Sequence, residues 1–248
     1  MPAGPFTQEV FMKFVACSNF RRVGSLPPIL FRSDHLGALG ESDARQIQSL
    51  GIRRVIDFRG VRERAAAVCA LPGVTVHSLA IEPTIVQVIN DLVATGQKIT
   101  PADVVVHMQD TYRGFVRHNT SRFAQFFAHL LESNEPTVFH CTAGKDRTGF
   151  AAALVLYALG ATPDEVMRDY LLTNECLKVP QGARYGLHAE VASVLWRVQP
   201  EFLAAAFEAV EQDYGGLEPY LKKGLGLGSA QRERLKKLYL QPGGDDLM

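Results

Sequence analysis

His140-Cys141-Thr142-Ala143-Gly144-Lys145-Asp146-Arg147-Thr148-Gly149 sets one cysteine six positions before an arginine, with a hydroxyl residue directly after it. Upstream, Pro136-Thr137-Val138-Phe139-His140 is a short apolar run of the kind that ends a buried strand. Downstream, the run from Gly149 to Leu159 predicts a buried helix stopped by Gly160. A strand, a tight loop and a helix start therefore meet at one spot, and that geometry makes an anion site.

The chemistry of the loop follows residue by residue. Between strand and helix, the backbone N–H groups of residues 142 to 147 can converge as a nest, and the helix N-terminus adds partial positive charge. Arg147 offers a planar set of donors that matches two phosphate oxygens. In that field the Cys141 sulfur is expected to ionise below the free-thiol value of about 8.5, in the range of roughly 3.5 to 7.5. A thiolate aimed at a bound phosphate is a nucleophile whose product is a phosphocysteine. Thr148 can donate its hydroxyl to the sulfur, and Gly144 and Gly149 allow backbone angles or close approach that a β-carbon forbids. Thr142, Ala143, Gly144 and Lys145 form the expected phosphate cradle, with His140 ordering the loop by hydrogen bonds. The other cysteines, Cys17, Cys69 and Cys176, read as small buried hydrophobes. Sulfur transfer or arsenate reduction uses similar loop logic but needs a resolving cysteine, and none lies close in sequence.

Outward from the loop, strands and helices alternate. Residues 10 to 16 are apolar and read as a strand or a packed turn. Strands are expected at Ile29–Ser33, Ile52–Phe58 and Val74–Leu79, and helices at 42–50 (capped by Ser42), 61–67 and 84–94. Pro101 opens a long helix towards Leu131, with a break expected near Asn119-Thr120. Thr162-Pro163-Asp164-Glu165 is a capping box heading a helix to about Thr173. Further helices are expected at 187–198, 200–213, 216–223 and 230–239, with residues 243–246 disordered. The pattern gives an α/β fold, a mostly parallel central sheet flanked by helices on both faces, with 136–140 as its central strand.

Composition narrows the partners. Lys plus Arg and Asp plus Glu number 26 each, which argues against nucleic acid and against stable membrane anchoring by bulk charge. Four cysteines without paired spacing suit a reducing compartment. The first 20 residues lack a charged start followed by an apolar run, so a cytoplasmic location is expected, with signal-less export left open. The seven histidines show no metal-ligand spacing, and the proposed chemistry requires neither metal nor cofactor.

Cys-x5-Arg-Thr resembles the signature of the cysteine-dependent phosphatases, the tyrosine and dual-specificity group. The fuller motif is similar to bacterial and fungal tyrosine phosphatases of the atypical branch, which also accept phosphoinositides. Asn19-Phe20-Arg21-Arg22-Val23-Gly24, Leu30-Phe31-Arg32-Ser33-Asp34, Val55-Ile56-Asp57-Phe58-Arg59, Tyr112-Arg113-Gly114-Phe115 and Asp169-Tyr170-Leu171-Leu172-Thr173-Asn174 extend the resemblance. It departs at Arg22-Val23-Gly24-Ser25, where such proteins tend to carry Asp-Leu-Gly-Gly, which implies an N-terminal loop built differently. The resemblance implies one phosphatase domain over residues 1–248, with its core at about 15–240 and a helical C-terminal part at 163–240. It implies hydrolysis of phosphotyrosine, with phosphoserine, phosphothreonine and phosphoinositides as further substrates. The alternative is a phosphate-recognising interaction module that has lost its chemistry.

The leaving oxygen needs a proton, and three aspartates are candidates. Asp146 sits inside the loop, as in lipid phosphatases with an aspartate in their signature, or else orients Arg147. Asp57 ends a strand where α/β active sites gather, or else caps the next helix. Asp110 reads as a solvated helix residue. Lys145 is a second cation for substrates with several phosphates or an inositol ring, or else a surface lysine in water. Residues 81–100 and 176–188 are candidate lid segments.

Overall fold

The computed structural model describes residues 14–83, Ile85, Ile89, 98–179 and 188–240. Strict alternation along the central strands sorts the core, because successive side chains of a strand point to opposite faces. Leu30, Ile56 and Phe139 join a large cluster on one face, whereas Phe31, Val55 and Val138 join a smaller one on the other. The strands are β1 (Arg21–Arg22), β2 (Leu30–Ser33), β3 (Arg54–Asp57), β4 (Thr75–Ser78) and β5 (Thr137–His140). They run in the order β1-β2-β5-β3-β4, with only the β1–β2 pair antiparallel. The mostly parallel sheet is as expected, with β5 at its centre. β1 was not anticipated: two arginines carry no strand pattern, and the pairing Arg21↔Arg32 makes them one. β4 is an edge strand whose side chains are largely exposed.

Among the described residues the longer helices are α1 (Glu41–Ser49), α2 (Val61–Ala66), α3 (Pro101–Glu132), α4 (Asp146–Leu159), α5 (Pro163–Leu171), α6 (Thr173–Cys176), α7 (Ala189–Trp196), α8 (Pro200–Tyr214) and α9 (Ser229–Leu240), with a short turn of helix at Leu217–Pro219. Tyr220–Gly224 forms a π-turn rather than an ordinary helix. Ser42 is not a cap, since α1 already begins at Glu41 behind Gly40. The capping boxes of Thr100 and Thr162 are present, each with proline at the first turn. Contrary to expectation, α3 is unbroken at Asn119-Thr120. Their side chains bond the carbonyls of Gly114 (3.2 Å) and Val116 (2.6 Å) in the preceding turns, so the polar groups are satisfied within the helix. Buried Phe115, Val116, Phe123, Phe126 and Phe127 anchor it on both sides of that point.

Of the 10–16 segment only residues 14–16 are described; they form a bend, with Phe14 packed edge-on to Phe20 at 4.8 Å. Most of the 84–94 helix, most of both candidate lids and the tail at 243–246 lie outside the described residues. Among the described residues no helix is long and apolar enough to cross a membrane.

Candidate active site

β5 delivers Cys141 to the carboxyl edge of the sheet, and α4 starts at Asp146, three residues earlier than the apolar pattern indicates. The loop proper is therefore only residues 142 to 145, and Arg147 stands in the first helical turn. Gly144 has φ +64°, and a β-carbon there would lie 2.2 Å from the carbonyl oxygen of Ser33. The loop is thus seated directly on the end of β2.

Three successive loop carbonyls are anchored from behind. The Thr142 carbonyl accepts from the His35 N–H (3.0 Å), that of Ala143 from Asn19 Nδ2 (3.0 Å), and that of Gly144 from Asn19 Nδ2 (2.9 Å) and Arg32 Nη2 (3.1 Å). A trans peptide points its N–H opposite to its C=O. The amides of Ala143, Gly144 and Lys145 are therefore turned to the other side, and none has a protein acceptor among the described residues. This is an open nest for an anion. The anchors are themselves held: Arg32 pairs with buried Asp169 at 2.6 Å, and Arg21 bonds the Asp169 carbonyl and the Thr173 hydroxyl, both at 3.1 Å. Asp169 also accepts from the Gly24 N–H at 3.1 Å, in the turn between β1 and β2. The segments around residues 19–24, 32 and 169–173 thus form the loop's rear support.

His140 is fully buried, which pushes its pKa down to about 4 and leaves the ring neutral near pH 7. Its Nδ1 lies 3.0 Å from the Cys141 carbonyl, which can only accept, so Nδ1 carries the proton. The Thr148 hydroxyl is buried without a partner among the described residues.

Sequence reasoning missed Glu63. In the first turn of α2, its carboxylate accepts Arg147 Nη1 (2.7 Å) and Nη2 (2.9 Å), the Gly60 N–H (2.8 Å) and the Thr142 hydroxyl. Burial alone would raise its pKa, but the Arg147 bonds outweigh it and hold the carboxyl at about 2. Burial likewise opposes the charge of Arg147, yet Glu63 and Cys141 keep it above its ordinary value. Arg147 Nη1 also reaches the Ile81 carbonyl at 2.8 Å, so its orientation is fixed from outside the loop. The one local signal for Glu63 is its place three residues after Gly60, whose N–H it caps.

Among the aspartates, Asp146 lines the pocket over Cys141, accepts the Tyr112 hydroxyl on Oδ1 (3.0 Å), and has Lys145 Nζ 3.4 Å from Oδ2. Asp57 does not line that pocket. It is almost fully buried and its two oxygens are engaged by the Arg59 side chain (2.7 to 3.1 Å) and backbone N–H (2.9 Å). Burial pushes Asp57 up, but Arg59 more than offsets this and holds it below the usual carboxylate range. Nor does Asp57 cap α2, where Gly60 stands at the cap position. Asp110 is exposed and pairs with Arg113 at 2.9 Å. Lys145 lines the same pocket but is not a surface lysine in water. It is buried, with its ammonium bonded to the carbonyls of Leu195 and Arg197 at the end of α7, and so ties the loop to that helix.

The pocket is lined by the loop from Cys141 to Arg147 except Gly144, by the polar residues Glu63, Glu82 and Thr111, and by Pro83, Ile85, Phe115, Leu195 and Trp196, which supply apolar surface. Among the described residues no group of three or more His, Cys, Asp or Glu is placed to hold a metal.

Cys141 thus shares one pocket with the open amide nest and with a guanidinium that Glu63 holds in place. The sequence profile of the tyrosine phosphatase family matches residues 12–241, and the chain belongs to that family. It is 29% identical over 236 residues to a Cupriavidus necator protein provisionally named a tyrosine-protein phosphatase, covering 89% of this chain and 86% of that one. It is also 29% identical over 274 residues to the triple specificity protein phosphatase PtpB of Mycobacterium tuberculosis, covering 90% and 96%. Among solved structures, P. aeruginosa TpbA in complex with phosphotyrosine aligns over 83% of this chain and 98% of that one, at 17% identity and a TM-score of 0.36.

Proposed function

We propose that the protein hydrolyses phosphotyrosine through a phosphocysteine, with Cys141 as nucleophile, Arg147 and the amides of 143–145 as phosphate ligands, and Asp146 as general acid and base. The observation that carries this reading is the set of three inward amides without protein acceptors, beside Cys141 and the Glu63-fixed Arg147. In the first step the Cys141 sulfur forms the S–P bond as the ester P–O bond breaks. The electron pair goes to the leaving oxygen, which takes the Asp146 proton. In the second, Asp146 removes a proton from water, whose oxygen attacks phosphorus. The S–P electrons return to sulfur as a thiolate, to which the Thr148 hydroxyl donates a hydrogen bond, and phosphate leaves.

The apolar walls of the pocket suit an aryl ring. The name of the M. tuberculosis relative supports acceptance of more than one phosphate ester class, and the motif resemblance supports phosphoserine, phosphothreonine and phosphoinositides among them. Because Lys145 is engaged by backbone carbonyls, it supports the last of these less than its sequence position suggests. Equal numbers of acidic and basic residues support a partner that is neither nucleic acid nor a membrane anchor.

A chromogenic aryl phosphate tests the core reading. Wild type is expected to turn over and to yield an acid-trapped phosphoenzyme, and Cys141→Ser to do neither while still binding phosphate. Turnover surviving in Cys141→Ser rejects the covalent route. Phosphate binding without turnover in wild type selects the interaction-module alternative.

A further inference from the structure

Two buried phenols stand behind Asp146, and nothing in the reaction as described above uses them. Tyr112 lies on α3 and Tyr170 on α5, 58 residues apart, and both are essentially inaccessible to solvent. Their hydroxyl oxygens are 2.7 Å apart, and Tyr112 Oη is 3.0 Å from Asp146 Oδ1. The rings meet edge to face at 6.2 Å. Counting protons fixes the direction of this chain. Tyr112 donates its one hydroxyl proton to Asp146 Oδ1. Tyr170 has no other hydroxyl partner among the described residues, so it donates to Tyr112. Burial raises both phenols well above their ordinary range, so both keep their protons throughout turnover.

We infer that Tyr112, backed by Tyr170, is a positioning residue for the general acid: it holds Oδ1 while the Lys145 ammonium lies 3.4 Å from Oδ2, so the carboxyl is fixed at the pocket with Oδ2 as the oxygen that hands its proton to the leaving group. As the P–O bond breaks, the proton passes from Oδ2 to the leaving oxygen and negative charge grows on Asp146. The Tyr112 O–H is already aimed at that charge, and the Tyr170 hydroxyl strengthens it by polarising the chain. The hydrogen bond is therefore worth more in the transition state than in the ground state, which is the condition for it to accelerate the step. This inference rests on the assignment of Asp146 as the acid.

Leaving-group dependence provides the test. A dinitrophenolate departs with little help, whereas a phenolate needs the proton. The values of kcat/KM, which report the step that expels the leaving group, are measured for phenyl phosphate and 2,4-dinitrophenyl phosphate with wild type, Tyr112→Phe, Tyr170→Phe, Asp146→Asn and the Tyr112→Phe/Asp146→Asn double variant. Phenylalanine keeps both rings, the packing of ring 112 against Phe115 and Phe202 and its edge-to-face contact with ring 170, so the hydroxyls alone are removed. Tyr112→Phe is expected to slow phenyl phosphate roughly tenfold more than the dinitrophenyl ester. Tyr170→Phe is expected to act in the same direction by about two- to threefold. In the double variant, Tyr112→Phe is expected to add no leaving-group dependence beyond that of Asp146→Asn. If Asp146→Asn discriminates between the esters but Tyr112→Phe slows both equally, or neither, the tyrosines are structural and the inference fails while the acid assignment stands. If Asp146→Asn does not discriminate at all, the acid assignment fails and takes the inference with it.

Discussion

Replacing Gly144 by alanine tests whether the nest is set by contact with β2. Two costs are visible. The first is conformational: φ is +64°, where a β-carbon costs roughly 1–2 kcal/mol. The second is steric. The added carbon would lie 2.2 Å from the Ser33 oxygen, 2.4 Å from its carbonyl carbon and 2.6 Å from the Asp34 nitrogen, all backbone atoms. Ordinary contact begins near 3.4 Å, so the loop and the strand end must separate by about 1 Å. Overpacking of this kind costs roughly 1–3 kcal/mol in stability. The larger effect falls on activity, since misplacing the amides by about 1 Å is worth on the order of a hundredfold in rate. Gly73→Ala is the matched control: its φ is +72°, but nothing lies within 4 Å of the added carbon. We expect urea denaturation to show about 1–2 kcal/mol lost in Gly73→Ala and about 2–5 in Gly144→Ala. Aryl phosphatase kcat/KM, assayed well below either midpoint, should be unchanged in the first and reduced about a hundredfold in the second. If Gly144→Ala matched Gly73→Ala in stability and kept activity within about threefold, the seating argument would be refuted.

Two other outcomes follow from the charges. Glu63→Gln keeps the shape but removes the charge that fixes Arg147, and a hydrogen bond to a charged group is worth about 1.5–3 kcal/mol. Steady-state kinetics should show kcat/KM lower by about ten- to a hundredfold, and an unchanged or higher value would mean that Glu63 does not position the guanidinium. Burial raises Asp34 from 3.8 to about 6, so the native state holds this proton more tightly and stability falls as pH rises from about 4 to 6. Burial lowers His140 from 6.5 to about 4, so stability rises over nearly the same window. The two should cancel in wild type, and Asp34→Asn should uncover an upward slope of up to about 1.4 kcal/mol per pH unit in urea titrations between pH 4.5 and 6; a flat Asp34→Asn profile would contradict the assignment.

What could be read from the sequence was what is local in it. The Cys141–Arg147 spacing, the strand before it and the helix after it lie within a few residues, so periodicity and turn chemistry sufficed. The helix start was misplaced because Asp146, Arg147 and Thr148 are polar and carry no apolar rhythm, although a first turn tolerates them. Glu63 lies 84 residues from Arg147, and Asn19 lies 125 from Gly144, distances over which no pattern speaks. The burial of Lys145 was not legible because it depends on α7, an element whose packing the sequence does not state. Asp57 was within reach: an arginine two residues on in Asp57-Phe58-Arg59 was the warning that the carboxylate was already claimed.

The rear support of the loop has a consequence for biosynthesis. Cys141 and Arg147 leave the ribosome before Asp169 and Thr173, on which Arg21 and Arg32 depend for their orientation. A nascent or truncated chain ending in α4 therefore carries the reactive pair without the geometry that arms it. Catalytic competence is therefore expected to appear only with the docking of α5, which supplies Asp169 and so completes the rear support.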